Sequence, residues 1–421
     1  MLKIGVFGAY RGMAMIKFCA KFPDTELVAI CDKSEEALEK TKKVIEEENA
    51  NTRLYKDFDE FFKEDMDAVV LANYATEHAP YAIRCLNAGK HVISEVLPAL
   101  NMAQAVELCE AVEKSGKVYA YAENYCYFLS TNEMYKLYRS GDYGEFEYGE
   151  GEYVHDCEPI WPSITYGESG HWRNNLHACF YCTHSIGPLV HITGLRPKSV
   201  VGFELPMVER LKNLGARCGS SGLEIITMEN GSIVKSLHSL ALKREPSAIW
   251  YCLYGSKGMM ESSRREDGVD GMSTFINDKF TTYQPKPNVE NETTKKLNSG
   301  HFGGDFYPMY YFVQKILGHE DGKNSIGVYE ALDMWMPGHF AYRSVLNGNV
   351  PFEIPDLRDK SVRDKYRNDT WCFDPKYANG DLAPSYSKGT PDIPQEVYDR
   401  VADMWKKQQE EERAKEQAEK K

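Results

Sequence analysis

At 421 residues the chain is too long for one ordinary hydrophobic core, so two domains are expected. With 42% hydrophobic and 12% aromatic residues it is no disordered chain. Its net charge of -13 argues against binding nucleic acid or an anionic membrane, and without a run of about 18 apolar residues no membrane-spanning helix is expected.

"MLKIGVFGAY" enters a strand directly, without the apolar stretch of a secretory signal. The 11 cysteines are scattered and odd in number, which suits reduced thiols. A cytoplasmic location is therefore expected. Residues 3–8, 26–32, 67–73, 91–95 and 118–123 read as strands buried on both faces, with helical patterns between them. Ser34 suits a helix N-cap, and Gly89 and Gly116 suit C-terminal caps. Strand–helix alternation of this kind predicts a doubly wound parallel sheet, an α/β Rossmann domain over residues 1–124. From about residue 140 the texture changes to strand-like runs at 145–156, 197–206, 223–242 and 249–261. Asn230-Gly231 marks a tight hairpin. An α+β domain over 125–421 with a large open antiparallel sheet follows, with a helical pattern from Tyr307 to Leu346. From about residue 400 the chain reads as a charged helix or frayed tail. No internal repeat is present.

"GVFGAYRG" places Gly5, Gly8, Tyr10, Arg11 and Gly12 at the first strand-to-helix turn. Glycines there let backbone approach a pyrophosphate, and a helix N-terminus adds N–H donors. The spacing departs from the full dinucleotide fingerprint, because Tyr10 and Arg11 precede a displaced last glycine. Asp32 ends the second strand, where a carboxylate accepts from ribose hydroxyls and repels a 2′-phosphate, so NAD is favoured over NADP. The other reading of Asp32 is a surface helix cap.

"LANYATEHAPYAIRCLNAGKHVISEVLPA" (71–99) resembles the cofactor-domain signature of the Gfo/Idh/MocA oxidoreductases, with His78, Ala88 to Val92 and Glu95 in the pattern positions. The resemblance implies a nicotinamide near Asn73, His78, Glu95 and Asn124. Most members carry Glu-Lys-Pro where this chain has "EVLP". Val96 cannot move protons, so another group must.

Five further motifs resemble, in order, the NAD-dependent glycosidases of glycoside hydrolase family 109: "ENYCY" (123–127), "GEYVHD" (151–156), "HWR" (171–173), "YCTHSIGP" (181–188) and "GHFGGDF" (300–306). That resemblance implies a sugar pocket with Tyr153, His155, Tyr181 and His184 as proton-transfer residues. Glu123, Trp172, Arg173 and His301 then contact substrate, and Trp172 and Arg173 also border the cofactor. It implies cleavage of a glycoside by transient oxidation at carbon 3, elimination, hydration and re-reduction. Ser247 stands where that branch carries a further sugar-contacting Tyr, which leaves the sugar open. A dimer or tetramer is also expected by resemblance. Two other readings stay open: a sugar 3-dehydrogenase that does not cleave, and a non-catalytic NAD-binding protein.

Each residue also has a structural reading. Tyr153 and His155 alternate on one strand face, as core residues do. Trp172 and Arg173 suit a stacked structural pair. Gly187-Pro188 suits a turn that ends or starts a helix, and His301 a surface loop. "HACFYCTHSIGP" (177–188) also carries His177, Cys179, Cys182 and His184, the residue types of a small zinc site. There is no second Cys-x-x-Cys pair and the four are compressed into eight residues, so no metal is expected.

Overall fold

The first domain is built from short strands too apolar to leave either face in water. In the computed structural model, which describes residues 1–48, 50–264, 269–289 and 301–419, these are β1 (Leu2–Phe7), β2 (Thr25–Cys31), β3 (Arg53–Tyr55), β4 (Ala68–Leu71), β5 (His91–Ser94) and β6 (Tyr119–Tyr121). They form one parallel sheet in the order β3-β2-β1-β4-β5-β6. The direction of winding reverses between β1 and β4, which opens a crevice at the carboxyl ends of these strands. Helices Met13–Lys21, Glu35–Glu47, His78–Asn87 and Met102–Ser115 cover the sheet. Ser34 caps the second of them by accepting from Ala37 N–H at 3.2 Å, and Gly116, at φ +63°, ends the fourth.

The second sheet holds β7 (Phe146–Val154), β8 (Pro197–Glu204), β9 (Ser221–Met228), β10 (Ile233–Ser239), β11 (Ala248–Gly255), β12 (Gly258–Ser262), β13 (Met272–Ile276), β14 (Lys279–Tyr283) and β15 (Phe352–Glu353). Its order is β14-β13-β12-β11-β7-β10-β9-β8-β15. Asn230-Gly231 turns β9 into β10 as read, with Gly231 at φ +89°. The sheet is mixed rather than purely antiparallel, because β10 runs parallel to β7 and sets His238 beside Tyr153. The helical pattern after Tyr307 is two helices, Tyr307–Leu317 and Val328–Leu346, divided where Gly318 takes φ +76°.

The Thr183–Thr193 helix is buried along its whole length, between the second sheet and the Val328–Leu346 helix. Gly151 on β7 makes this packing possible: a Cβ there would lie 1.7 Å from the Ser185 carbonyl oxygen. Gly187 and Pro188 sit inside this helix, not at its end. Proline brings no N–H, so the carbonyl of His184, four residues earlier, lacks its helical donor. The Tyr251 hydroxyl on β11 donates to it instead, at 2.5 Å.

Candidate functional site

A cleft of about 930 Å³ runs along the carboxyl edge of the first sheet. Gly8, at φ +103°, lines it, and a Cβ there would lie 2.3 Å from the Ala72 carbonyl group. Tyr10, Arg11, Asp32, Asn73, His78, Glu95 and Val96 also line it. Gly5 and Gly12 do not. Gly5 faces Met66 and Phe61, and Gly12 meets the Gly8 carbonyl, so both serve packing of the turn. Asp32 accepts from Ala9 N–H (2.7 Å) and Ser34 N–H (2.8 Å), which aims its carboxylate along the glycine turn.

Both polar atoms of the Asn73 side chain are buried with no hydrogen-bond partner. An unpaired buried amide is costly, so an amide-bearing ligand such as nicotinamide fits this wall. His78 is fully buried, and burial pulls its pKa down to about 4. Its neutral ring lies between the carbonyls of Leu97 (3.0 Å) and Asn73 (3.2 Å) and fixes the loop after β5. Together these residues suit a dinucleotide lying from Asp32 to Asn73. Replacing Gly8 by Ala is expected to cost about 1–3 kcal/mol of stability and to weaken NAD binding, read by thermal unfolding and NAD titration.

At the inner end of the cleft Arg11 pairs with buried Glu95 at 2.9 Å. Behind them Asn124 donates to Asp305 at 2.7 Å, and His301 Nδ1 lies 2.9 Å from the other Asp305 oxygen. Gly300, the first residue of the loop motif, lies outside the described residues. Trp172 and Arg173 line the cleft, with the guanidinium 4.3 Å from the Trp172 ring centroid, so the stacked pair and the cleft wall are one feature.

Tyr181 also lines the cleft and connects it to a second group of side chains. Its ring stacks on Trp172 at 6.1 Å and meets the His184 ring edge-on at 4.9 Å. Burial pushes the Tyr181 phenol up to about 12, with Arg173 and Arg11 pulling the other way. Glu123, fully buried, accepts from His184 Nδ1 (2.7 Å), the Thr183 hydroxyl (2.9 Å) and Tyr125 N–H (3.3 Å). Because a carboxylate only accepts, Nδ1 carries the proton, and Nε2 of a neutral His184 presents a lone pair. Tyr153 lies 5.0 Å from His184 ring to ring, and its hydroxyl is 3.2 Å from His155 Nδ1. Burial lowers the His155 pKa. Thus Glu123, Tyr153, His155, Tyr181 and His184 gather in one place, with His301 across the Tyr125 ring at 5.9 Å.

Two side chains of this group were not among the expected ones. Tyr125 sits 4.2 Å from His184 and 5.7 Å from Tyr153, ring to ring. It belongs to "ENYCY", where the acid and amide drew attention and the aromatic did not. His238 stacks on Tyr153 at 5.5 Å, and only the parallel pairing of β10 with β7 brings it there.

The zinc-like letters have other partners. His177 stacks on Tyr342 at 4.1 Å, Cys182 lies 3.8 Å from the Met334 carbonyl, and His184 faces Glu123. Among the described residues no group of three or more His, Cys, Asp or Glu is placed to hold a metal ion. None of the described helices is long and apolar enough to cross a membrane.

Comparison with known proteins shows what the chain is similar to. Residues 2–123 match the family model of the Gfo/Idh/MocA oxidoreductases, described as an oxidoreductase family with an NAD-binding Rossmann fold. Glycosyl hydrolase family 109 protein 1 of Phocaeicola vulgatus is 24% identical over 85% of this chain and 84% of its own length. A family 109 protein of Solibacter usitatus is 25% identical over 85% of this chain and 88% of its own. Among solved structures, an oxidoreductase of Agrobacterium radiobacter in complex with NAD⁺, L-tartaric acid and magnesium superposes with a TM-score of 0.66 at 15% identity, over 84% of this chain and 98% of its own.

Proposed function

From the premise that the first domain of this chain is an NAD-binding domain of the Gfo/Idh/MocA oxidoreductase family, we propose that the protein is an NAD-dependent enzyme that cleaves glycosides by transient oxidation of the sugar. The observation that carries this reading is the cluster of Glu123, Tyr153, His155, Tyr181 and His184, which Tyr181 joins to the cofactor cleft. Likeness to family 109 relatives over most of both chains supports it.

Bound NAD supplies a reversible electron-pair acceptor for the hydroxyl-bearing carbon 3 of the sugar. The residues of this chain do the proton work. His184, held by Glu123 with Nε2 free, takes the proton of a substrate hydroxyl. Tyr181, between His184 and Trp172, serves the adjoining carbon 2, where a hydrogen becomes acidic once carbon 3 is a ketone. Tyr153 and His155, in contact with each other, give a proton to the departing aglycone and take one from the incoming water. Val96, buried against the cleft, excludes water from the reacting carbon and moves no proton. The Arg11–Glu95 pair puts charge beside this site without exposing a free cation.

The test is a panel of p-nitrophenyl glycosides incubated with the protein, with and without NAD⁺, while phenol and NADH are followed together. Phenol release without net NADH is expected. Stoichiometric NADH with intact glycoside would instead assign a sugar 3-dehydrogenase. Silence in both channels across the panel would favour an NAD-binding protein without this chemistry.

A further inference from the structure

The stretch that reads as a charged helix or frayed tail is a docked helix, Gln395–Glu419. One face is pinned to the second domain. Tyr398 and Val401 are buried, and the Tyr398 hydroxyl donates to the Gly215 carbonyl at 3.2 Å. Ala402 lies so close to Gly167 that a Cβ there would come within 2.3 Å of the Ala402 nitrogen. Residues one and two turns further along the same stripe, Trp405 and Gln409, line the cofactor cleft. The helix then reaches the first domain. Gln409 Nε2 donates to Glu36 at 2.6 Å, and Arg413 pairs with Glu36 at 3.2 Å. Glu36 lies in the first turn of the helix that follows Asp32, at the end of the cleft expected to take the adenosine ribose. Tyr166 completes the wall, 5.8 Å from Trp405 and 6.4 Å from Tyr10, ring to ring. Its φ of +58° is unusual for a bulky residue, and its side chain lines the cleft.

We propose that this C-terminal helix carries the adenine subsite of the cofactor, with Trp405 and Tyr166 as stacking surfaces and Gln409 as the group that reads the base. Both aromatic residues are only half-buried, and both line the cleft where a purine would lie. The carboxylate of Glu36 only accepts, so it takes one N–H of the Gln409 amide and fixes the amide with its oxygen turned away from Glu36 as an acceptor. An acceptor at that place matches the exocyclic amine of adenine and opposes the carbonyl of hypoxanthine. The proposal rests on the assignment of the cleft to NAD and not on the glycosidic reaction.

Two measurements on the full chain, freed of nucleotide, test it. Amide hydrogen exchange across residues 395–415 is expected to slow with NAD⁺ or AMP and to stay unchanged with nicotinamide mononucleotide. Trp405→Ala is expected to weaken NAD⁺ and AMP roughly ten- to a hundredfold, the range of base–aromatic stacking. The unsubstituted chain should prefer NAD⁺ over nicotinamide hypoxanthine dinucleotide by roughly two- to tenfold, and Gln409→Ala should abolish the preference. Slowed exchange in the glycine turn, with the helix unaffected and the variants binding normally, overturns the helix's role and leaves the cofactor assignment intact. No change in either segment overturns both.

Discussion

Replacing His184 by alanine is expected to lower glycoside turnover by roughly 10²–10⁴-fold, the range for a positioned general acid or base. The local structure is what makes the effect specific. His184 sits outside the set of residues that line the cofactor cleft, so NAD titration of the variant should match the unsubstituted protein. Glu123, by contrast, holds three donors at once. Glu123→Gln can still accept from Nδ1 and Tyr125 N–H through its amide oxygen, but it removes the negative charge that stabilises the imidazolium formed when His184 takes a proton. A loss of turnover similar to that of His184→Ala, with cofactor binding retained, is the expected pattern for a carboxylate that works through the histidine. Full turnover in His184→Ala would end the assignment of this residue to proton transfer.

Stability is expected to fall by at least ~4 kcal/mol between pH 7 and pH 5. Five histidines are almost fully buried: burial holds His78 near about 4, His177 and His238 near about 3 and His171 near about 2, and it pushes His339 well below the usual histidine range. An unfolded histidine titrates near 6.5, so below that pH the unfolded chain binds more protons than the folded one. Stability contributed by keeping these rings neutral is therefore complete above pH 6.5 and lost as pH falls. At pH 5 the loss is roughly 2 kcal/mol for each ring. Two buried carboxyls act in the opposite direction. Burial raises Glu224 to about 8 and Asp333 to about 6, so both bind protons more readily folded than unfolded. Acidification over the same range returns roughly 3 and 1 kcal/mol respectively. Histidine dominates the balance. Thermal unfolding at constant ionic strength from pH 7 to pH 5 checks this, and a flat or rising midpoint would contradict it.

Local signals in the sequence carried much of the first domain. Buried runs with helical stretches between them dictate a parallel sheet, and Gly8, Asp32 and Asn73 fall where a βαβ unit puts its crevice. The Asn-Gly turn of the second sheet was equally legible, because a type of turn needs only its own residues. Long-range pairing was not. Nothing within "SIVKSLHSLAL" indicates that β10 runs parallel to β7, and without that pairing His238 has no reason to join Tyr153. Gly187-Pro188 reads as a turn from local propensity. In the fold it lies within a helix, because Gly151 lets that helix press onto the sheet and Tyr251 replaces the missing donor. The C-terminal helix misleads for a related reason. Its apolar stripe of Tyr398, Val401 and Trp405 is thin among charges, and its docking sites at Gly215, Gly167 and Glu36 come from three distant parts of the chain.

Pro188 has a mechanical consequence. Where the helical ladder is interrupted, the turn that carries His184 is fastened through its carbonyl to β11 and through its imidazole to Glu123. Neither anchor belongs to the helix itself. The histidine thus takes its coordinates from β11 and from Glu123 as well as from its own helix.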